Sequence, residues 1–307
     1  MTTASYHGII PPIVTPLNAD GTVNHDDLAK LVEHLIDAGV NGLFPLGSTG
    51  QVAYLTDADR LAVMKTVCDT TAGRVPVLAG AIELTAARVA DSAKAFLEVG
   101  ADAIVATAPI YAISDEGEIA DHFRMIHAAI NAPLFAYDIP ARGCRKLSPD
   151  LLVDLGREGV IVGVKDSSGD DVSFRRLIAM NDAAGHPLSL FTGHEVMVDA
   201  MGFAGADGAV PGLANVDASA YVRLWKAAKA RDVNTATEEQ ERINRLFEIV
   251  FCPTGRSGDA AGVGAFKAAM ALRGLISTAT MTAPLKPLDD KVLEQIRVIV
   301  KDAGLLD

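Results

Sequence analysis

Lys165 closes the apolar run Val160-Ile161-Val162-Gly163-Val164 and is followed at once by Asp166-Ser167-Ser168. Desolvation disfavours an ammonium, so a lysine at the inner end of a buried strand gains a usable fraction of free amine. A free amine attacks a ketone or aldehyde to give a Schiff base, and the protonated imine stabilises a carbanion on the neighbouring carbon. Making and breaking the carbinolamine needs a proton shuttle close to the lysine. The hydroxyl of Tyr137, at the end of the run PLFAYDIP, can serve as one, with Ser48 or Thr49 of the turn Gly47-Ser48-Thr49-Gly50 relaying the proton. Backbone N–H groups in such a turn can hold a carboxylate. Together these groups suit a substrate with a carboxylate beside a ketone, of which pyruvate is the smallest.

Each group also has an ordinary reading. Lys165 fits a strand-end salt bridge as well as a catalytic amine, Tyr137 a strand residue with a satisfied hydroxyl, and Arg142 a solvated charge. Asp138 reads as a structural hydrogen-bonding residue. The grouping favours chemistry, because these residues fall at equivalent places in successive units of the chain.

Those units are short apolar runs alternating with stretches of helical period. The runs are 8–16, 41–48, 75–81, 101–109, 133–140, 160–166, 189–193 and 206–212. Between them, apolar residues recur at three- and four-residue steps, as do Leu28, Leu31, Val32 and Leu35 before Gly39. Continuous rather than alternating apolar strands imply burial on both faces, as in parallel sheets covered by helices. The expected fold is α/β, a (β/α)8 TIM barrel over residues 1–230, where functional side chains gather at the strand ends. Residues 231–307 read as a C-terminal helical extension. A doubly wound open sheet is the runner-up, and its GxGxxG fingerprint is absent after the first run. The glycine-rich stretch GRSGDAAG (255–262) reads as a flexible connector.

Composition narrows the function classes. A net charge of −12 lacks the basic footprint of a nucleic-acid partner. No run approaches the ~18 consecutive apolar residues of a membrane span, and the opening MTTASYHG lacks the pattern of a signal peptide. Cys68, Cys144 and Cys252 form no CxxC pair, and the expected location is cytoplasmic. The seven histidines show no HxH or HExxH spacing, so no metal site is expected, although His194-Glu195 can line the mouth.

GxTG after the second run, YxxPxR after the fifth and GVKDSSG at the sixth together resemble the dihydrodipicolinate synthase and N-acetylneuraminate lyase family. The likeness runs along the whole chain. It implies that Lys165 forms the imine with pyruvate, that Tyr137 shuttles the proton through Ser48, and that the amides of Ser48 and Thr49 bind the pyruvate carboxylate. It further implies that Tyr111 reaches a neighbouring subunit's site, that Gly193 and Val210 lie near the adduct, and that the assembly is a homotetramer built from two dimers. No cofactor is needed beyond the covalent imine; the second reactant is a small aldehyde or keto acid. Arg142 matches the arginine that holds the carboxylate of aspartate semialdehyde in the synthase branch, and with Tyr111 it ranks a synthase-like condensation first. Cleavage or dehydration of N-acetylneuraminate or a 2-keto-3-deoxy sugar acid ranks second, since Ser48-Thr49 replaces the Thr-Thr usual in synthases. Gln51 replaces a customary glutamate, and Gly143-Cys144 a customary Thr-Gly. A keto-acid-binding paralogue without catalysis is the alternative from another class.

Overall fold

The computed structural model describes residues 6–143 and 145–306, so Cys144 lies outside the described residues. Seven strands form one parallel sheet: β1 (Gly8–Ile9), β2 (Leu78–Gly80), β3 (Ala103–Thr107), β4 (Leu134–Asp138), β5 (Gly163–Asp166), β6 (Ser189–Thr192) and β7 (Gly208–Ala209). Their spatial order is β1-β7-β6-β5-β4-β3-β2, every neighbouring pair parallel. The expected strand over 41–48 is reduced to two single parallel bridges, Leu43 to Val77 and Phe44 to Pro12, which tie the β2 side of the sheet to the β1 side. Prolines explain the reduction. Pro11, Pro12 and Pro45 have no N–H to give a ladder, so the runs that contain them stop after one or two residues.

Among the described residues nine α-helices follow the strands and loops up to residue 229: α1 (His25–Asp37), α2 (Asp57–Thr71), α3 (Ala86–Glu98), α4 (Glu116–Ala129), the single turn α5 (Pro140–Gly143), α6 (Pro149–Arg157), α7 (Asp171–Ala183), α8 (Val198–Ala204) and α9 (Ala214–Lys229). Side-chain caps start most of them. Asn24 accepts from the Asp27 amide, Thr56 from that of Asp59, and Asp115 forms a reciprocal capping box with Glu118. Gly39, at φ +88°, takes the left-handed turn that follows α1. Beyond them lie α10 (Val233–Phe247), a 3-10 turn at Glu248–Phe251, α11 (Gly258–Leu272) and α12 (Asp290–Asp302).

The stretch expected to be a connector instead opens a helix. Ser257 accepts a hydrogen bond from the Ala260 amide and caps α11, so Gly258 and Asp259 are helical. Capping outweighed the low helix propensity of the glycines.

Alternation sorts the strand residues into two cores. Leu134, Ala136, Ile104, Ala106, Val164 and Leu190 face the helices, within a cluster that also takes in Ile243, Phe266 and Ile296 of the C-terminal helices. Phe135, Tyr137, Val105, Phe191 and Val210 face the other way and pack with Phe44, Ile10 and Tyr6. Gly163 is required by this inner packing: a Cβ there would lie 2.3 Å from the Phe135 ring. Lys165, two residues on, shares the inner face.

Candidate active site

Strand register brings the two central residues together. Tyr137 of β4 pairs with Lys165 of β5, which pairs in turn with Phe191 of β6, and Thr107 of β3 flanks Tyr137 on the other side. Lys165 is 6% exposed, and its Nζ lies 4.3 Å from the Tyr137 ring centroid and 4.7 Å from that of Phe44. Among the described residues no carboxylate comes within ion-pairing distance of it. The salt-bridge reading of Lys165 is therefore not what the geometry shows.

Burial by itself pushes the Tyr137 phenol up; the Lys165 charge and hydrogen bonds with Ser48, Ser167 and Lys165 outweigh it and bring the phenol below its ordinary value. Ser167, two residues after Lys165, is thus part of the group. Gly193, just after β6, makes room for it: a Cβ at that position would meet Ser167 Oγ at 2.2 Å. The Gly193 amide also donates to the Asp166 carbonyl at 2.6 Å. Val210 belongs to the same inner cluster as Tyr137. The Thr107 hydroxyl, buried beside Tyr137, meets no partner among the described residues.

Ser48 and Thr49 sit in a turn held by Gln51 N–H to Ser48 carbonyl at 3.0 Å, with Gln51 itself left-handed at φ 57°. Among the described residues the N–H groups of Ser48 and Thr49 meet no acceptor. Two such amides on one turn form a concave donor pair fitted to an anion.

A clamp beneath the site fixes the ends of β4 and β5. Lys146 forms ion pairs with Asp138 and, at 2.9 Å, with Asp166. Asp138 also accepts from the Leu147 amide at 3.1 Å, the structural role expected for it. Burial raises the Asp138 carboxyl to about 6, with Lys146 pulling it back and Asp166 pushing it further. Nothing in the spacing marked Lys146 beyond its lying eight residues after Asp138.

A cleft of about 450 Å³ opens beside Ser48 and Thr49, and Arg142 and Glu195 line it. Arg142 stands on α5 rather than in a loop, and its guanidinium is engaged by both carboxylate oxygens of Asp259, one contact measuring 3.1 Å. Asp259 accepts from Tyr54 Oη as well, at 3.2 Å. Burial pushes Glu195 up to about 7, against the pull of the Leu213 and Gly212 amides, the Lys165 charge and the Tyr221 hydroxyl. Tyr111 is not brought to this group; it is 90% exposed, beside Ile113 at 96%. Among the described residues no cluster of three or more His, Cys, Asp or Glu side chains could hold a metal ion. None of the helices is long and apolar enough to cross a membrane, again among the described residues.

The chain is 33% identical to an uncharacterised DapA-like lyase of Halobacterium salinarum over 301 residues, covering 98% of this chain and 95% of that one. It is 32% identical to the 4-hydroxy-tetrahydrodipicolinate synthase of Phenylobacterium zucineum over 305 residues, 98% of each. Among solved structures it is similar to YagE, a prophage protein of the dihydrodipicolinic acid synthase family from E. coli K12 solved in complex with pyruvate. The TM-score there is 0.92 at 28% identity, over 98% of this chain and all of that one. The model of the dihydrodipicolinate synthetase family matches residues 5–303. The chain belongs to that family, and is a lyase of its kind.

Proposed function

We propose that this lyase makes or breaks a carbon–carbon bond through an imine between Lys165 and pyruvate. The observation that carries the reading is Lys165 itself, buried, unpaired by any carboxylate among the described residues and set against the phenol that Ser48 and Ser167 hydrogen-bond. The Lys165 amine attacks the keto carbon, and Tyr137 passes the proton needed to expel water and leave the imine. The unmet amides of Ser48 and Thr49 hold the carboxylate. Loss of a C3 proton gives the enamine, whose C3 bonds to the carbonyl carbon of an aldehyde while the aldehyde oxygen takes a proton. Water then cleaves the imine, returning the amine and releasing a 4-hydroxy-2-keto acid; the reverse sequence is a retro-aldol cleavage. The pyruvate bound in the YagE complex supports this reading.

The bridges at Leu43 and Phe44 stand for the eighth strand on this account, closing a (β/α)8 barrel with α10, α11 and α12 as its helical extension. The exposed pair Tyr111 and Ile113 supports a homotetramer in which that face is covered. A synthase-like condensation needs a cation free to hold aspartate semialdehyde, and the Arg142–Asp259 pair counts against it.

The test needs no aldehyde. In D2O the enamine step exchanges the C3 hydrogens of pyruvate for deuterium, so its methyl resonance fades with the protein present and persists with Lys165→Met. A methyl signal that survives the wild-type protein defeats the imine.

A further inference from the structure

Resting on that imine, we infer that the second reactant is an aldehyde carrying an apolar aryl or alkyl group and no carboxylate of its own. The cleft beside Ser48 and Thr49 is walled by Phe247 at the end of α10, by Val250 of the 3-10 turn after it, and by Val263 and Phe266 of α11. Its volume, about 450 Å³, accommodates a group the size of one ring. Arg142 is the one cation among the described residues that line it, and two carboxyl groups, Glu195 and Asp259, line it as well.

Arg142 is already matched. Asp259 meets its guanidinium fork with both oxygens, the geometry with which an arginine would grip a substrate carboxylate. An incoming carboxylate must displace a partner that is held on the same chain, and it must do so facing a second acid. The second acid is engaged too. Glu195 accepts from the Leu213 amide at 2.6 Å and lies 3.5 Å from the Tyr221 hydroxyl. His194 Nδ1 is 2.9 Å from Asp171. A polyhydroxylated sugar acid needs donors and acceptors that these pairs have taken, whereas an apolar group needs only the carbon surface of the two helices.

The covalent step is the one already balanced: enamine C3 bonds to the aldehyde carbon, the carbonyl electron pair goes to oxygen, and that oxygen is protonated. Only the substituent on the aldehyde is new.

The experiment compares kcat/KM with pyruvate for benzaldehyde and isovaleraldehyde against succinic semialdehyde, aspartate semialdehyde and glyceraldehyde. The wild-type protein is expected to favour the apolar aldehydes by about 10-fold or more. Asp259→Asn releases Arg142 and is expected to shift the ratio toward succinic semialdehyde by a further factor of about 10. Wild-type preference for a carboxylated or hydroxylated aldehyde overturns the inference, and that ranking stands even where Asp259→Asn does not fold. A folded Asp259→Asn with an unchanged ratio overturns the role of Asp259. Deuterium exchange into pyruvate is followed throughout: exchange intact with the wrong aldehyde ranking sinks this inference alone, and absent exchange sinks the imine beneath it.

Discussion

Among the described residues two lysines are buried without a carboxylate partner, and their surroundings differ in kind. Lys165 sits on the inner face of the sheet against two aromatic rings. Lys267 sits in α11 at 0% exposure, donating to Gln51 Oε1 at 2.7 Å and to the Thr280 carbonyl at 3.0 Å. Gln51 in turn donates to Thr282 Oγ1 at 2.6 Å. The first amine is walled by carbon and a phenol; the second has its hydrogen bonds met by neutral acceptors. Burial alone pulls Lys267 down to about 7. What separates the two is the phenol beside Lys165: the Tyr137 ring centroid lies 4.3 Å from its Nζ. Lys146 completes the contrast, since its two carboxylates make it a clamp.

The largest effect should come from Lys165→Met, which removes the nucleophile and should lower turnover by about 10⁴-fold or more, read by steady-state assay on the preferred aldehyde. Lys267→Met should leave deuterium exchange at saturating pyruvate in place. Its effect should fall on KM, because Lys267 holds Gln51 and so the turn of Ser48 and Thr49. Equal losses in the two variants would erase the distinction between them.

Tyr137→Phe should reduce kcat by about 10²–10⁴-fold with pyruvate still binding, the range of a lost proton shuttle. Next in size is Lys146→Met. It leaves Asp138 and Asp166 buried beside one another without a cation, and chemical denaturation should show a loss of about 3–5 kcal/mol.

A subtler test uses pH. The unfolded chain keeps Lys267 protonated up to about 10.5, whereas the folded chain releases that proton near 7. Between those values the unfolded state holds more protons, so this lysine makes stability rise with pH across that window, and its burial penalty is fully present below it. Gln51→Glu places a carboxylate on the Lys267 ammonium; it should raise stability at pH 7 by about 1–3 kcal/mol and flatten the rise. A slope unchanged by the substitution would mean that Lys267 is not the titrating group. The smallest change is Thr282→Val, which removes the acceptor of Gln51 and should cost about 0.5–1.5 kcal/mol in the same denaturation assay.

The strand-end places of Tyr137 and Lys165 were legible from the apolar runs PLFAYDIP and GVIVGVK, and parallel pairing of successive units sets them side by side. The strands at 8–16 and 41–48 were overread because apolar composition was weighed above the prolines that interrupt them. Asp259 was hidden for a different reason. It meets Arg142 from 117 residues away, and its helix start is masked by glycines that read as a connector. Ser167 was hidden by its commonness: a serine after a strand is ordinarily a turn residue, and here it hydrogen-bonds the Tyr137 phenol in the space that Gly193 leaves. Gln51 was legible as a departure from the family, and the structure supplies its partner, Lys267.

The most direct measurement treats both buried lysines in one tube. The protein is incubated with pyruvate, reduced with borohydride and mapped by peptide mass. The reduced adduct should be found on the Lys165 peptide, with the Lys267 peptide unmodified. An adduct on Lys267, or none on Lys165, would contradict the account.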